Sequence, residues 1–502
     1  MTGAFDLLIV GGGINGAGIA RDAAGRGLKV LLCEQGDLAG ATSSASSKMI
    51  HGGLRYLEHY EFRLVRESLA EREILLRIAP HLVRPTEFVL PHRAGSRPRW
   101  MVRAGLFLYD RLGGARTLPA AHAINLHSDP RGQPLNETAR HGFVYSDCRV
   151  DDARLVIANV RDAAAHGAEI LTRTVLVEAR RQGHEWRAVL QGEDGGRREI
   201  AARILVNAAG PWVTEVACRA GLTARVTLRL VKGSHIVVPQ LYDGEQAFLL
   251  QNDDRRVVFV IPFEQHFTLI GTTELPCTGN PAEARASTEE IAYLCRAVGR
   301  WFRAAPRPDD VVWVFAGVRP LHDDGAGSVA AVSREYVFEL DEVDAPALSI
   351  FGGKLTTYRR LAEHALTRLK PYLPGAGQPW TADAPLPGGA DVQAADLQRR
   401  FPFIDIPTAE RLARSYGSDA LSFYAGGSGR DFGHGLFAAE VDWLVAQEWA
   451  HTVDDVLWRR SKLGLQFTSA ATAGLREYLA NPGSPRCPVV PAVAAAPQTP
   501  DR

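Results

Sequence analysis

The chain has 502 residues, enough for about two to four domains, and its 57 basic side chains equal its 57 acidic ones. That balance argues against a nucleic-acid-binding protein, which normally has a basic excess. We find no stretch of about 18 apolar residues and no basic-then-apolar leader, so we expect neither a membrane-spanning nor an exported protein, while peripheral attachment stays open. The 6 scattered cysteines form no C-x-x-C pair, which predicts a reduced cytoplasmic protein without a metal site.

The chain begins with the pattern of a strand, a tight turn, a helix and a second strand. Residues 5–10 form a short apolar run bounded by glycines, and residues 14–26 are rich in small side chains at helical spacing. The turn has the G-x-G-x-x-G spacing, in which a helix N-terminus receives a diphosphate, and Glu34 ends the second strand where an acceptor for ribose hydroxyls is expected. A plain glycine-rich turn is the alternative, but the joint context favours a dinucleotide site. Its predicted residues are Gly11, Gly13, Ile14, Asn15, Gly16 and Glu34.

A polar segment, residues 41–62, follows the second strand. Its run of small and hydroxyl residues, then a histidine and two glycines, suits neither a helix interior nor a strand. We predict a loop that wraps the phosphates and faces the cofactor ring, with a solvated loop as the alternative. The residues assigned to the cofactor here are Thr42, Ser43, Ser44, Ser46, Ser47, His51, Gly52 and Gly53.

Two helices are predicted next. Residues 62–78 have an amphipathic pattern that Pro80 stops. Residues 98–112 interleave Trp100, Phe107 and Leu108 with three arginines, a stripe that suits either ordinary core or a membrane interface. Both interpretations stay open.

The chain then returns to the nucleotide site. A helix over 150–167 and strands over 172–181, 187–192 and 202–212 lead to Gly210 and Pro211, where we predict a second backbone approach to the dinucleotide. Strands within 227–273, at 311–318 and at 330–340 indicate a largely antiparallel sheet and further strands.

The core closes on a strand at 349–351, a glycine pair and a helix over 355–369, whose N-terminus points at a ligand. A Pro- and Gly-rich linker then leads to a mostly helical region, with helices at 438–448 and 453–462 the clearest, and to a Pro/Ala-rich tail predicted to be disordered.

Long motifs now carry a resemblance to a family. GGGINGAGIARDAAGRGL, ATSSASSKMIHGGLRYLEHYEFRLV, NAAGPW, LVKGSHIVVP, IGTTE, GVRPL and FGGKLTTYRRLAEHAL are similar to those of FAD-dependent glycerol-3-phosphate dehydrogenases of the aerobic, respiratory type. The resemblance spans nearly the whole chain and is weakest over 113–140 and in the C-terminal region.

The resemblance implies an α/β fold with a glutathione-reductase-like FAD-binding Rossmann domain, an inserted mixed or antiparallel-sheet substrate domain and an all-α C-terminal domain. The expected bounds are 1–80, 146–225 and 312–373 for the FAD-binding domain, and 81–145 and 226–311 for the substrate domain. A linker at 374–390, a helical domain at 391–480 and a tail at 481–502 follow.

The implied reaction is the oxidation of sn-glycerol 3-phosphate to dihydroxyacetone phosphate by hydride transfer from C2 to N5 of FAD. The implied partners are a membrane quinone and the lipid surface of the cytoplasmic membrane, with a homodimer left open and no nucleic acid. One alternative is a glycerol-3-phosphate oxidase that reduces oxygen to peroxide; another is a flavin-binding regulatory protein without turnover.

A phosphate monoester calls for cationic side chains in fork geometry, and a reacting alcohol calls for a cation and a proton acceptor. We assign Arg334, with Arg55 or Lys354, to the phosphate and Arg319 to the C2 oxygen, where surface salt bridges are the alternative. His235 is favoured over His51 as proton acceptor. The alternative is that His235 only forms a hydrogen bond with the substrate oxygen. Lys354 and the helix N-terminus beside it would supply positive potential to the reduced cofactor.

From the resemblance, the substrate-binding set is Arg55, Tyr56, His235, Thr272, Arg319, Arg334 and Lys354, with Arg319, His235 and Lys354 catalytic. The same resemblance adds Val175, Ala209, Gly210, Trp212, Gly352, Gly353, Lys354, Leu355 and Thr356 to the cofactor-binding residues.

Overall fold

The structure is a computed structural model that describes residues 4–93, 97–114, 116–254, 256–323, 335–390 and 392–481. The chain divides into two compact units, one made of Met1–Ala79 and Val83–Pro385 and the other of Pro80–Leu82 and Leu386–Arg502. Within the described ranges, no helix combines the length and apolar character needed to cross a bilayer. The tail predicted to be disordered lies, apart from Asn481, outside the described residues.

The strands of the first unit are β1 (Phe5–Val10), β2 (Val30–Cys33), β3 (Met49–Ile50), β4 (Val83–His92), β5 (His122–Asn125), β6 (His141–Val150), β7 (Glu169–Leu171), β8 (Thr174–Gln182), β9 (Glu185–Gly192), β10 (Arg197–Asn207), β11 (Leu228–Pro239), β12 (Ala247–Gln251), β13 (Val257–Phe263), β14 (Phe267–Gly271), β15 (Leu275–Pro276), β16 (Trp313–His322), β17 (Val337–Asp341) and β18 (Ala347–Phe351). Its helices are α1 (Ile14–Gly25), α2 (Phe62–Ile78), α3 (Arg99–Leu112), α4 (Asp152–Ala165), α5 (Val213–Arg219), α6 (Thr288–Gly299) and α7 (Tyr358–Leu369).

The first sheet has the order β17, β18, β10, β1, β2, β7, and its central strands are parallel. Leu8 of β1 lies opposite Leu205 of β10 and Leu31 of β2, and all three side chains are buried. Apolar runs of this kind are typical of strands covered on both faces. Ligands bind such sheets at the carboxyl ends of the strands, which places the turn between β1 and α1 at the binding edge.

The second sheet has the order β15, β11, β14, β13, β12, β4, β6, β3, with β16 beside β11 and β5 beside β6. It is mixed because β12 runs parallel to β4, while its other pairs, such as β11 with β14 and with β16, are antiparallel. By its hydrogen bonds β16 belongs to this sheet, although its residues fell within the segment expected for the FAD-binding domain.

Helix α3 differs from an ordinary core helix. Its buried side chains are Leu106 and Tyr109, whereas Trp100 is 69% exposed and Phe107 is 57% exposed. The interpretation of this stripe as ordinary core is therefore wrong for its outward-facing aromatic residues. Helix α2 ends at Ile78, before Pro80, as predicted.

The second unit is helical, with α8 (Ala394–Arg400), α9 (Ile406–Tyr416), α10 (Ala438–Glu448) and α11 (Ser469–Ala480) around an apolar core. The α-helix predicted over 453–462 is largely a π-helix, Asp455–Arg460. Ser461 explains part of the difference, because its N–H donates to the carbonyl of Val456, five residues earlier, at 3.0 Å.

Candidate active site

The turn between β1 and α1 is closed by backbone contacts that admit only glycine. A Cβ on Gly16 would lie 1.9 Å from the carbonyl oxygen of Gly11, and one on Gly11 would lie 2.6 Å from that of Ala208. Gly11 also has φ of +114°, which side chains rarely adopt. Because both obstructing atoms belong to the backbone, neither can move aside. The segment after β10 therefore packs against this turn at Ala208, whereas the predicted backbone approach of Gly210 and Pro211 to the dinucleotide stays a prediction.

Glu34 follows β2, as predicted for a ribose acceptor, and its carboxylate is held by the backbone. Its Oε2 accepts from the N–H of Gly12 at 2.7 Å, and its Oε1 accepts from the N–H of Gly36 at 2.8 Å. Burial raises the pKa of Glu34, and these two hydrogen bonds oppose that shift. A carboxylate has about four lone-pair sites, so two bonds leave acceptor capacity for sugar hydroxyls.

The polar segment after β2 is tied to three other elements. Ser43 Oγ accepts from the N–H of Ile14 at 3.0 Å, at the start of α1. Thr42 Oγ1 donates to the carbonyl of Val318 at 2.7 Å, and Ser47 Oγ lies 2.9 Å from His235 Nε2. These contacts argue against the alternative of a loop solvated throughout.

A buried ion pair between Lys48 and Asp152, which was not predicted from the sequence, holds this segment in place. Lys48 Nζ donates to Asp152 Oδ1 and to the carbonyl of Ser44, at 2.7 and 2.8 Å. Ser46 Oγ donates to the other carboxylate oxygen at 2.7 Å. The pair fixes the hydroxyl run against the N-terminus of α4, where a carboxylate is favourable.

Three of the predicted cofactor segments meet at one place. The N–H of His51 donates to Thr356 Oγ1 at 3.3 Å, which joins the His51–Gly53 segment to the turn after β18. Asn15 Nδ2 donates to the carbonyl of Gly352 at 3.0 Å, and a Cβ on Gly353 would lie 2.8 Å from that same nitrogen. The beginning of α1 therefore contacts the Gly352–Gly353 pair. A short turn, Leu355–Thr357, leads from this pair to α7.

The remaining predicted cofactor residues lie on the β10 side of the first sheet. Ala209 follows β10, and Gly210–Trp212 form a 3-10 turn. A cavity of about 850 Å³, lined by Gln35, Pro211 and Trp212 among others, opens beside the end of β2. Val175 lies on β8 with its backbone opposite Gln191 of β9, and its side chain is half-buried.

Two arginines converge on Glu274, which lies between β14 and β15 of the second sheet. Arg55 Nη1 lies 3.8 Å from Glu274 Oε2, and Arg319 Nη1 lies 3.8 Å from Glu274 Oε1. The side chains of Arg55 and Arg319 are 30% and 23% exposed, so both reach solvent. Arg319 Nη2 is also 3.5 Å from Thr272 Oγ1. Two cations beside one carboxylate leave a net positive charge, which can bind an anion.

Close backbone packing holds these residues in place. Val231 of β11 lies opposite Arg319 of β16, and a Cβ on Gly233 would lie 2.7 Å from Thr272 Oγ1 and 2.9 Å from Arg319 Nη2. Tyr56 and Lys354 are also together, since Lys354 Nζ lies 3.9 Å from the centroid of the Tyr56 ring. Five of the predicted substrate residues therefore fall into two contacting groups, one of Arg55, Arg319 and Thr272 around Glu274 and one of Tyr56 with Lys354, which meet in the chain at Arg55 and Tyr56.

His235 is buried, whereas the side chains of Arg55 and Arg319 reach solvent. His235 is 1% exposed and stacks on Phe315 at 4.9 Å between ring centroids. Burial, then the charges of Arg319 and Lys48, hold the pKa of His235 well below its ordinary value. Its ring is therefore neutral and a weak base, which disfavours the predicted role as proton acceptor and leaves the hydrogen-bonding alternative.

Arg334, predicted to bind phosphate, lies outside the described residues. Glu274 was not predicted from the sequence, although it directly follows the threonine pair of IGTTE and a carboxylate at the end of a substrate motif was a usable signal. Over the described ranges, no group of three or more His, Cys, Asp or Glu side chains is placed to hold a metal ion.

Comparisons with known proteins agree with this architecture. Residues 6–359 match the family described as FAD dependent oxidoreductase, and residues 379–480 match the C-terminal domain of alpha-glycerophosphate oxidase. The chain is 51% identical to a glycerol-3-phosphate dehydrogenase of Pseudomonas aeruginosa, with 95% of each chain covered. It is 51% identical to a D-erythritol 1-phosphate dehydrogenase of Brucella abortus, over 95% of this chain and 98% of the relative.

A third relative is the aerobic glycerol-3-phosphate dehydrogenase of Escherichia coli, 48% identical over 94% of this chain and 97% of the relative. Among solved structures, the glycerol-3-phosphate dehydrogenase of Bacillus halodurans complexed with FAD superposes with a TM-score of 0.75 at 28% identity, covering 95% of this chain and 90% of that one. The expected fold class is confirmed by these matches.

The chain belongs to the FAD-dependent oxidoreductase family. The residues present fit that cofactor on two observations. The Gly11–Gly16 turn is a backbone cradle that a side chain would fill. In the described part of the chain, the buried Oδ1 of Asn15 has no hydrogen-bond partner where α1 meets the Gly352–Gly353 turn. A buried polar atom of this kind needs a partner, and a polar ligand supplies one.

Proposed function

We propose that this protein oxidises sn-glycerol 3-phosphate to dihydroxyacetone phosphate and passes the electrons to a membrane quinone. The observation that carries the proposal is the convergence of Arg55 and Arg319 on Glu274, with Arg55 two residues after the predicted cofactor residue Gly53. The names of the relatives, including the aerobic dehydrogenase, support the substrate and the respiratory acceptor.

In this proposal Arg55 binds the phosphate, together with Lys354. Arg55 is the more exposed of the two convergent arginines, and Lys354 Nζ lies 3.9 Å from the ring centroid of Tyr56, the residue that follows Arg55. A guanidinium donates two parallel hydrogen bonds to phosphate oxygens, whereas an ammonium acts as a point charge. Together with Arg319, they supply three positive charges, which match the two negative charges of the dianion and the one of the nearby Glu274 carboxylate.

Arg319 acts on the oxygen at C2. It lies beside Thr272 Oγ1 and deeper than Arg55, where a fixed cation lowers the pKa of an alcohol as alkoxide character develops. Thr272 donates to or accepts from the same hydroxyl and so orients it. FAD, when bound, supplies the two-electron acceptor for the hydride that leaves C2.

The proton from the C2 hydroxyl passes to His51 in this proposal. His51 is half-buried, so a proton it accepts can leave to water, whereas His235 is fully buried and near two cations. The His51 ring packs edge-on to Phe259 at 6.4 Å, and Phe259 lies opposite Gly271, the neighbour of Thr272. His51→Asn should lower kcat and flatten its dependence on pH between pH 5 and 8, while an unchanged profile would contradict this assignment.

A second candidate substrate is D-erythritol 1-phosphate. The relative of that name is as similar to the chain as the glycerol-3-phosphate dehydrogenase of Pseudomonas aeruginosa, at 51% identity each. A four-carbon polyol phosphate presents the same phosphoester with one more hydroxyl, and Glu274 is an acceptor for it. The ratio of kcat/KM for the two substrates in one dye-linked assay decides between them, because specificity is that ratio.

The acceptor is tested separately. A respiratory enzyme reduces a quinone analogue and forms little peroxide, whereas an oxidase consumes oxygen and yields one peroxide per substrate. The match of residues 379–480 to a domain named for alpha-glycerophosphate oxidase makes this comparison necessary. Stoichiometric peroxide without quinone would replace the proposed acceptor by oxygen.

We further propose that α3 attaches the protein to the surface of the cytoplasmic membrane. Trp100, Phe107 and Leu108 are exposed on this helix, and so are the arginines at positions 99, 103 and 111. Basic and aromatic residues on one exposed helix suit the interface of an anionic bilayer. Sedimentation with anionic and with neutral vesicles tests this proposal, and equal absence of binding to both would contradict it.

A further inference from the structure

A chain of buried hydrogen bonds joins α3 to the His51–Gly53 segment. The hydroxyl of Tyr109, on α3, accepts from the N–H of Gly52 at 2.8 Å and lies 2.7 Å from Asp147 Oδ2. The other oxygen of Asp147, on β6, accepts from Arg72 Nη1 of α2 at 2.8 Å. Two helices, a strand and a predicted cofactor segment thus share one polar network.

The direction of each bond follows from the groups present. An arginine only donates and a backbone N–H only donates, so Asp147 accepts from Arg72 and the Tyr109 oxygen accepts from Gly52. The single hydroxyl proton of Tyr109 then goes to Asp147. Tyr109, Asp147 and Arg72 are all buried, so water cannot easily replace a lost partner.

Gly52 is pressed against the elements that carry this network. A Cβ on Gly52 would lie 2.5 Å from Leu69 Cδ2 of α2 and 2.7 Å from the Tyr109 hydroxyl. The segment therefore has no room to shift toward α2 or α3 while the network is intact. On its other side, His51 is hydrogen-bonded to Thr356.

Resting on the function proposed above, we propose that Tyr109 is a positioning residue that sets the place of the His51–Gly53 segment against the Leu355–Thr357 turn. The seating of α3 then governs the geometry at which the proton acceptor and the cofactor ring meet the substrate. Leu106 and Tyr109 are the buried side chains of α3, so the Tyr109 hydroxyl is a specific tie between an exposed helix and the reacting centre.

The test compares Tyr109→Phe with Tyr145→Phe in the FAD-loaded protein. Both variants remove one hydroxyl from the same aromatic cluster, in which the two rings meet edge-to-face at 6.0 Å, but only Tyr109 bonds Gly52. We expect Tyr109→Phe to lower kcat about 10- to 100-fold with KM for glycerol 3-phosphate within about twofold, because misplacement of a reacting group costs that much while Arg55 and Arg319 are untouched. The visible circular dichroism of the bound flavin should change in Tyr109→Phe and stay that of the wild type in Tyr145→Phe.

Wild-type kcat and flavin dichroism in a Tyr109→Phe protein that retains FAD would overturn the inference. If that variant does not fold, Asp147→Leu replaces it, since leucine has a similar volume and no atom that accepts the tyrosine proton; the same losses support the inference, and wild-type values overturn it. A wild-type protein that binds FAD but does not oxidise the substrate would refute the proposed function instead, and the dichroism of the variants would still decide the role of Tyr109.

Discussion

Replacing Arg319 by alanine removes the cation nearest Thr272, with 3.5 Å between Arg319 Nη2 and Thr272 Oγ1. Loss of one fixed donor at a developing oxyanion typically lowers kcat by about 10²- to 10³-fold, or about 2.7–4 kcal/mol. Because the Arg319 side chain is 23% exposed, water takes over part of its role, so we expect the lower end, a loss of about 100-fold. Glu274 stays within 3.8 Å of Arg55, so its carboxylate is not left without a cation.

The matched control is Arg55→Ala, which removes the partner cation of the same acid. Arg55 is assigned to the phosphate, a group that does not change during the reaction, so its loss should raise KM by about tenfold or more and leave kcat within about threefold. Steady-state dye-linked assays on both variants, with FAD content measured on each sample, separate the two effects. Added guanidinium should restore part of the activity of Arg319→Ala.

Equal behaviour of the two variants would refute this reasoning. If Arg319→Ala raised KM at unchanged kcat, its cation would bind the phosphate rather than the C2 oxygen. If Arg319→Ala lost its FAD together with its activity, the residue would support the fold instead of the reaction.

Three further predictions concern the cofactor site, the buried histidine and α3. Gly16→Ala should abolish FAD retention, because its Cβ would lie 1.9 Å from a backbone oxygen, whereas Gly279→Ala, in open space, should retain FAD in the same absorbance assay. Below about pH 6.5 His235 is protonated in the unfolded chain but not in the folded chain. As the pH falls, the free energy of unfolding, measured with urea, should therefore decrease by about 1.4 kcal/mol per pH unit more in the wild type than in His235→Gln, and parallel slopes would contradict the buried neutral ring. Phe107→Ser should weaken binding to anionic vesicles by about tenfold, whereas Val312→Ser, exposed but not on α3, should not, and equal losses would argue against α3 as the anchor.

Local patterns predicted the nucleotide-binding part of the fold well. The predicted bounds of β1 and α2 agree with the structure. An apolar run between glycines indicates a buried strand, and an amphipathic stretch before a proline indicates a helix that ends there. The sequence did not indicate to which sheet β16 belongs, because its pairing with β11 joins residues far apart in the chain. The π-helix Asp455–Arg460 was also missed; the i to i−5 hydrogen bond from the N–H of Ser461 to the carbonyl of Val456 explains part of it, and the sequence pattern does not indicate such a bond.

The candidate site shows the same division. Motifs placed Arg55, Thr272 and Arg319 in one list, and the structure brings both arginines to Glu274 and Arg319 to Thr272. Burial was the information that the sequence lacked. A histidine in an apolar strand looks like an accessible base, but the stacked Phe315 and two nearby cations make His235 a neutral, enclosed ring. For the same reason, the sequence did not show whether the aromatic residues of α3 are buried or exposed.

The most direct measurement of the central claim is anaerobic addition of glycerol 3-phosphate to the purified, FAD-loaded protein while the visible flavin spectrum is recorded. We expect the oxidised flavin band to disappear and dihydroxyacetone phosphate to form in an amount equal to the flavin. A band that persists at saturating glycerol 3-phosphate, in a protein that dithionite does bleach, would contradict the account.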